Sequence, residues 1–265
     1  MIYYKTREEG KIYMHILTAP LFGSKHLIGL LFITLFFLFI SSIIKNKKNE
    51  NQKNTILIFM IAFYILEVLK IGYIIYLDKA YPIYQLPFHL CSIPLYLYPI
   101  MYFFRNTKFV EKYILPTSYS LVLIAGIMAL ALPINIIGSQ TSWFPLKDNI
   151  LPIISFFYHG LMIFSSLYLL KSKYYNFKLI DYTKTMIIGL IFSAIAMVAN
   201  ELLDKDFMLL NKGTGSPLAF ILEISKPLYI ASMIGGFAIL VGIVFAVTDL
   251  VYNKKEVKNK INSTV

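Results

Sequence analysis

Seven apolar stretches, near residues 27–44, 55–77, 86–104, 113–133, 150–170, 185–203 and 227–248, divide this 265-residue chain almost without remainder. At about 1.5 Å per helical residue, each is long enough to cross roughly 30 Å of hydrocarbon. No water is available there to pair with an exposed backbone, so such a segment must satisfy its own N–H and C=O groups, which a helix does. The expected fold is all-α: a polytopic membrane protein, a bundle of about seven transmembrane helices forming a single integral membrane domain over residues 1–265. A hydrophobic content of 58% and a mean hydropathy of +0.67 lie outside the range of a soluble domain of this length. The connections are too short to hold a second, soluble domain.

A formal charge of +11 would ordinarily raise the question of nucleic acid. Its distribution points to topology instead. Lys45, Lys47, Lys48 and Lys53 follow the first stretch, and Arg105, Lys108 and Lys112 the third. Lys171, Lys173, Lys178 and Lys184 follow the fifth, and Lys254, Lys255, Lys258 and Lys260 the seventh. These alternate segments hold fifteen of the 25 basic residues, against nine in the remaining loops and the N-terminal segment, with Lys70 inside a span. By the positive-inside rule they are cytoplasmic, which puts the segment 1–26 outside and the tail 249–265 inside a cell membrane. The first 25 residues carry charges of both signs with no short apolar region and cleavage site, so a cleaved signal peptide is not expected. Residues 12–22 are expected to lie along the outer surface as an interfacial segment.

Polar groups at membrane depth are costly and usually face protein or a water-filled cavity. Here they are Glu67 and Lys70 in the second stretch, His89 and Cys91 in the third, His159 in the fifth, and Asn200 and Glu201 in the sixth. His26 and Glu223 fall at the outer ends of their stretches. Threaded through the inferred topology, Cys91 lies roughly 8 Å and His159 roughly 14 Å below the outer edge, so one cavity opening outward is expected. Each residue also has a plainer role. Glu67 and Lys70, three apart, can neutralise one another, and His159 can serve as an interhelical hydrogen-bonding group. Asn200 and Glu201 can cap a helix end, leaving Asp204 and Asp206 as solvated loop charges.

Cys91 is the only cysteine, in the run Leu86-Pro-Phe-His-Leu-Cys-Ser-Ile-Pro94. It can form no intrachain disulfide, so it is a small core hydrophobe or a reagent. If the run is helical, Pro94 leaves the Leu90 carbonyl without a donor and perturbs the backbone beside Cys91. A thiol needs a nearby histidine or cation to hold its reactive thiolate at neutral pH. On a regular helix His89 points about 200° away from Cys91, which makes His159 the better base. His89 is then left to hold a substrate carbonyl or phosphate or to cap the helix, and Glu67 to orient His159.

Other chemistries lack their residues. The four histidines are scattered with no H-E-x-x-H, and one cysteine builds no thiolate zinc site, so no metal is expected. Neither a Walker A nor a G-x-G-x-x-G sequence is present, and no cofactor is expected.

The segment Leu86-Pro-Phe-His-Leu-Cys91 resembles the L-P-x-H-L-C signature on the third span of the YwaF family of bacterial membrane proteins, grouped with the vertebrate transmembrane protein 164. Supporting matches are Phe22-Gly-Ser-Lys-His26, Glu67, His159-Gly160, and Asn200 followed by a loop and Lys226-Pro227. The resemblance implies a lipid acyltransferase working through an acyl-cysteine, on a fold similar to that of intramembrane fatty-ester hydrolases. It carries the nucleophile onto Cys91 and the base onto His159. The loop after Asn200 departs from the family pattern of aromatic residues and a K-P-P turn, which bears on acceptor recognition. The expected partners are membrane phospholipids and a lipid acyl acceptor. Ester hydrolysis and a non-enzymatic seven-helix transporter or binding module are the competing readings.

Overall fold

The computed structural model describes residues 3–8, 11–16, 23–44, 50–131, 150–213 and 216–263. Two short strands, β1 (Tyr3–Glu8) and β2 (Lys11–Ile16), pair antiparallel with Tyr3 opposite Ile16, where part of an interfacial segment was expected. Residues 17–22 of that segment lie outside the described residues. Among the described residues seven α-helices follow: α1 (Ser24–Ile44), α2 (Glu50–Asp78), α3 (Ile93–Phe103), α4 (Leu115–Ala131), α5 (Leu151–Lys171), α6 (Asp181–Leu203) and α7 (Lys226–Ser263). Six are long and apolar enough to cross a membrane; α3 is not. The all-α, multi-pass character expected from hydropathy is therefore present.

The third stretch differs from its expected bounds for a local reason. Pro87 keeps Leu86 before it extended (φ −53°, ψ 144°), as a residue before proline prefers, whereas Ile93 before Pro94 is already helical (φ −51°, ψ −39°). His89 is extended (φ −84°, ψ 157°), Leu90–Ser92 make one tight 3₁₀ turn, and the α-helix begins at Ile93 with Pro94 in its first turn. There the missing N–H has no intrahelical acceptor to leave empty. Pro94 thus starts a helix instead of distorting one, and the angle calculated for His89 and Cys91 on a regular helix does not apply. Eleven residues rise only about 16 Å. Pro116, by contrast, follows a π turn over Val110–Ile114, a widening that relieves the clash of a proline ring with the preceding turn.

The chain forms two compact units, one of Met1–Leu86 with Ala125–Phe164 and the other of Pro87–Ile124 with Ser165–Val265. In the first, Ile33 of α1, Leu130 of α4 and Phe156 of α5 form a buried cluster flanked by Phe37 and Phe157. Two glycines allow the close approach. A Cβ on Gly160 would stand 2.5 Å from Ile33 Cγ1 and 2.6 Å from Phe37 Cε2, and one on Gly126 would stand 2.9 Å from the His159 carbonyl oxygen. In the second unit small polar side chains join helices. Ser166 Oγ donates to the Ser118 carbonyl, Ser120 Oγ to Thr185 Oγ1, and Tyr119 and Thr248 share a hydrogen bond between α4 and α7. Where lipid competes for apolar contact, such bonds and small residues hold helices together.

Candidate functional site

Cys91 lies in the middle of the Leu90–Ser92 turn, half-buried. The turn is closed by the Ser92 N–H donating to the His89 carbonyl at 2.9 Å. Just upstream, the Tyr96 hydroxyl reaches back to the Pro87 carbonyl at 2.9 Å and fastens the entering chain to the first turn of α3. The thiol is therefore carried on backbone outside the α-helical ladder, fixed on both sides.

Asn200 is buried near the end of α6, and both its amide oxygen and its amide nitrogen bond within the protein. Its Oδ1 accepts the Phe207 N–H at 2.6 Å, and its Nδ2 donates to the Phe207 carbonyl at 3.0 Å. The Phe207 ring, with no exposed surface, meets the edges of Phe88 and His89 at centroid distances of 5.3 and 5.2 Å. His89, Asn200 and Cys91 thus belong to one connected neighbourhood of the second unit. Glu223 and Lys226 of that unit are exposed, and Lys226 Nζ donates to Asn211 Oδ1 at 2.7 Å, tying the start of α7 to the loop after α6.

The remaining candidates belong to the first unit. His159 is buried on α5, with Nδ1 2.8 Å from the Ser155 carbonyl one turn earlier and 3.2 Å from Ser155 Oγ. A carbonyl only accepts, so Nδ1 carries a proton, and in the neutral ring Nε2 is the nitrogen that can accept one. That is the tautomer a general base requires. Glu67 sits on α2 with Oε2 2.8 Å from Lys70 Nζ and Oε1 buried without a hydrogen-bond partner. Lys70 in turn stands 6.0 Å from the centroid of the Tyr158 ring. The carboxylate is thus engaged with Lys70, and the orienting position on His159 is filled by its own helix. His26 is buried, with Nε2 2.7 Å from the Leu130 carbonyl, which makes it a tie between α1 and α4.

Several contributors carried no signal in the chain. Phe207 sits in a loop of mixed polarity, and only its hydrogen bonds to Asn200 reveal its place. Ser155 was legible in principle, because four residues before a helical histidine is the position whose carbonyl a ring nitrogen can reach. Among the described residues no group of three or more His, Cys, Asp or Glu is arranged to hold a metal ion.

Compared with known proteins, the chain matches no curated protein and no solved structure. Compared with known families, it fits the TMEM164 family over residues 21–248, a range that contains Cys91, His159 and every other candidate residue named above. That match covers most of the chain, all seven helices included apart from the end of α7, so this membrane protein belongs to the TMEM164 family.

Proposed function

We propose that this protein is an intramembrane lipid acyltransferase in which Cys91 takes a fatty acyl group from a phospholipid and passes it to a second lipid. The observation that carries the reading is the setting of the lone thiol: half-buried, on a single 3₁₀ turn, between an extended histidine and the start of a short apolar helix. An ordinary packing cysteine needs no such interruption, and an interruption at membrane depth persists only where protein or a cavity receives the backbone. Membership of the TMEM164 family supports the same assignment.

The chemistry has two halves. A base, the part that the family resemblance gives to His159, accepts the thiol proton, and the thiolate sulfur attacks the ester carbonyl carbon. The carbon–sulfur bond forms, the bond to the lysolipid oxygen breaks, and that oxygen leaves with the proton. The acceptor hydroxyl then attacks the thioester, losing its proton to the same base as the carbon–sulfur bond breaks and the thiolate returns. Apolar surroundings favour transfer over hydrolysis by limiting the water that competes for the thioester.

Intact-protein mass spectrometry after incubation with mixed phospholipids tests this. The wild type is expected to gain the mass of an acyl group that hydroxylamine removes, and Cys91→Ser and Cys91→Ala to gain none. His159→Ala should retain the thiol but acylate more slowly by about 10²-fold or more, the usual contribution of a positioned base. Release of free fatty acid alone would convert the reading to hydrolysis. Undiminished lipid exchange by Cys91→Ala would return the protein to the transporter or binding-module class.

A further inference from the structure

We infer that Asn200 is a positioning residue for the Cys91 turn, acting through the backbone and ring of Phe207 on His89. The inference rests on the reading of Cys91 as the nucleophile. It assigns Asn200 an intramolecular role in place of substrate contact.

The amide of Asn200 grips both backbone groups of Phe207, N–H and C=O, in the paired manner of a strand neighbour. With donor and acceptor engaged on one residue, the loop has little freedom to slide along α6. The loop is held from other directions as well. Asp206 Oδ1 accepts the N–H groups of Asn211 and Lys212, both at 2.9 Å, and Asn211 Nδ2 donates to the Lys205 carbonyl at 2.9 Å. The Tyr229 hydroxyl donates to the Leu209 carbonyl at 2.6 Å. Met208 and Leu209, immediately after Phe207, both sit in the left-handed region at φ 56° and 58°. Side-chain-bearing residues adopt that region only where the surroundings impose it.

The outcome of this restraint is one fully buried ring in a fixed place. Phe207 meets Phe88 and His89, the two residues that lead into the Cys91 turn. His89 is extended and its carbonyl closes that turn, so a displacement of its ring is transmitted to the backbone that carries the thiol. Sequentially, Asn200 and Cys91 are more than a hundred residues apart. Physically the path is one amide pair, one ring contact and one turn.

The experiment reads the thiol itself and needs no acyl substrate. The rate of alkylation of Cys91 by N-ethylmaleimide is measured across pH in purified full-length protein, for wild type, Asn200→Ala, Phe207→Leu, His89→Gln and the double variant Phe207→Leu/His89→Gln. Phe207→Leu leaves the Asn200 bonds intact because they are made to backbone, so it separates the ring from the clamp if Asn200→Ala fails to fold. Asn200→Ala, Phe207→Leu and His89→Gln should each change the alkylation rate by about threefold or more and move its pH profile alike. The double variant should match His89→Gln alone, since residues acting in series are not additive. An unchanged rate in folded Phe207→Leu, additive effects in the double variant, or no alkylation of the wild type would each overturn the inference. If these couplings hold while no acyl thioester forms, the positioning stands and the acyltransferase reading falls.

Discussion

Gly160 lies next to His159 in the chain, and its missing side chain sets how closely α1 can approach α5. A Cβ there would fall 2.5 Å from Ile33 Cγ1, an atom of a buried side chain that has nowhere to retreat, and 2.6 Å from the Phe37 ring. Overpacking of this kind costs about 1–3 kcal/mol, more than the helix propensity of up to ~1 kcal/mol that alanine gains over glycine. Gly72 on α2 has nothing within 4 Å of the same construction. Thermal unfolding in detergent should therefore find Gly160→Ala less stable than wild type and Gly72→Ala equal to it or more stable; equal midpoints for the two variants would refute the close-approach argument. At this scale the chain discloses unusual residues better than their partners. Cys91 and His159 stand out because each is rare and costly at membrane depth, and the Glu67–Lys70 pair is fixed by helical spacing alone. Phe207 could not be singled out among 21 phenylalanines, since its role comes from the Asn200 amide across a loop and from contacts to residues far away in sequence.

Elements are where hydropathy is most informative and proline chemistry corrects it. The expected bounds of the first, second, fifth and sixth stretches lie within a few residues of α1, α2, α5 and α6, because long apolar runs admit one backbone solution in lipid. The third stretch reads as apolar, yet Pro87, Pro94 and the extended His89 between them leave only Ile93–Phe103 as α-helix, which hydropathy is blind to. The connection between α5 and α6 is held by a network equally invisible to it. The Tyr175 hydroxyl donates to Asp181 Oδ2 at 2.9 Å, and Lys184 Nζ stands 2.6 Å from the other carboxylate oxygen. Burial first, and the neighbouring Asp181 carboxylate second, push the Tyr175 phenol above its usual range. Since the folded value is the raised one, the phenol's contribution is fully present below the unfolded value of about 10 and is lost as pH rises beyond it. Wild-type stability should fall between about pH 10 and 11.5 more steeply than that of Tyr175→Phe, measured by chemical denaturation in the same detergent. Parallel curves for the two proteins would remove Tyr175 from the account. At neutral pH the variant should be the weaker by about 1–3 kcal/mol, having left a buried Asp181 oxygen without its donor.

For the whole molecule, the sequence asymmetry that sets orientation is independent of any side-chain contact. Lys171, Lys173, Lys178 and Lys184 cluster around the connection from α5 to α6, whereas the connection following α2 carries Lys79 as its only basic residue before Arg105. Translocating a lysine-rich loop against the membrane potential is disfavoured, and each basic residue near an anionic leaflet contributes about 1 kcal/mol of attraction, so four around one short loop outweigh one on the other. We therefore predict that the connection from α5 to α6 is cytoplasmic and the one after α2 faces outward. In a Cys91→Ala background, which removes the only native thiol, single cysteines placed at the exposed positions Asn176 and Lys79 report the two sides. A membrane-impermeant maleimide added to intact cells should label Lys79→Cys and leave Asn176→Cys unlabelled until the membrane is permeabilised. The reverse pattern would invert the orientation and with it the leaflet from which Cys91 draws its lipid: the turn at Leu90–Ser92 follows Lys79 by eleven residues, on the same side of α3 as the loop that Lys79 marks. Orientation thus decides whether the proposed acyl transfer draws on outer-leaflet or inner-leaflet phospholipids, and the same two cysteines distinguish these without any assay of activity.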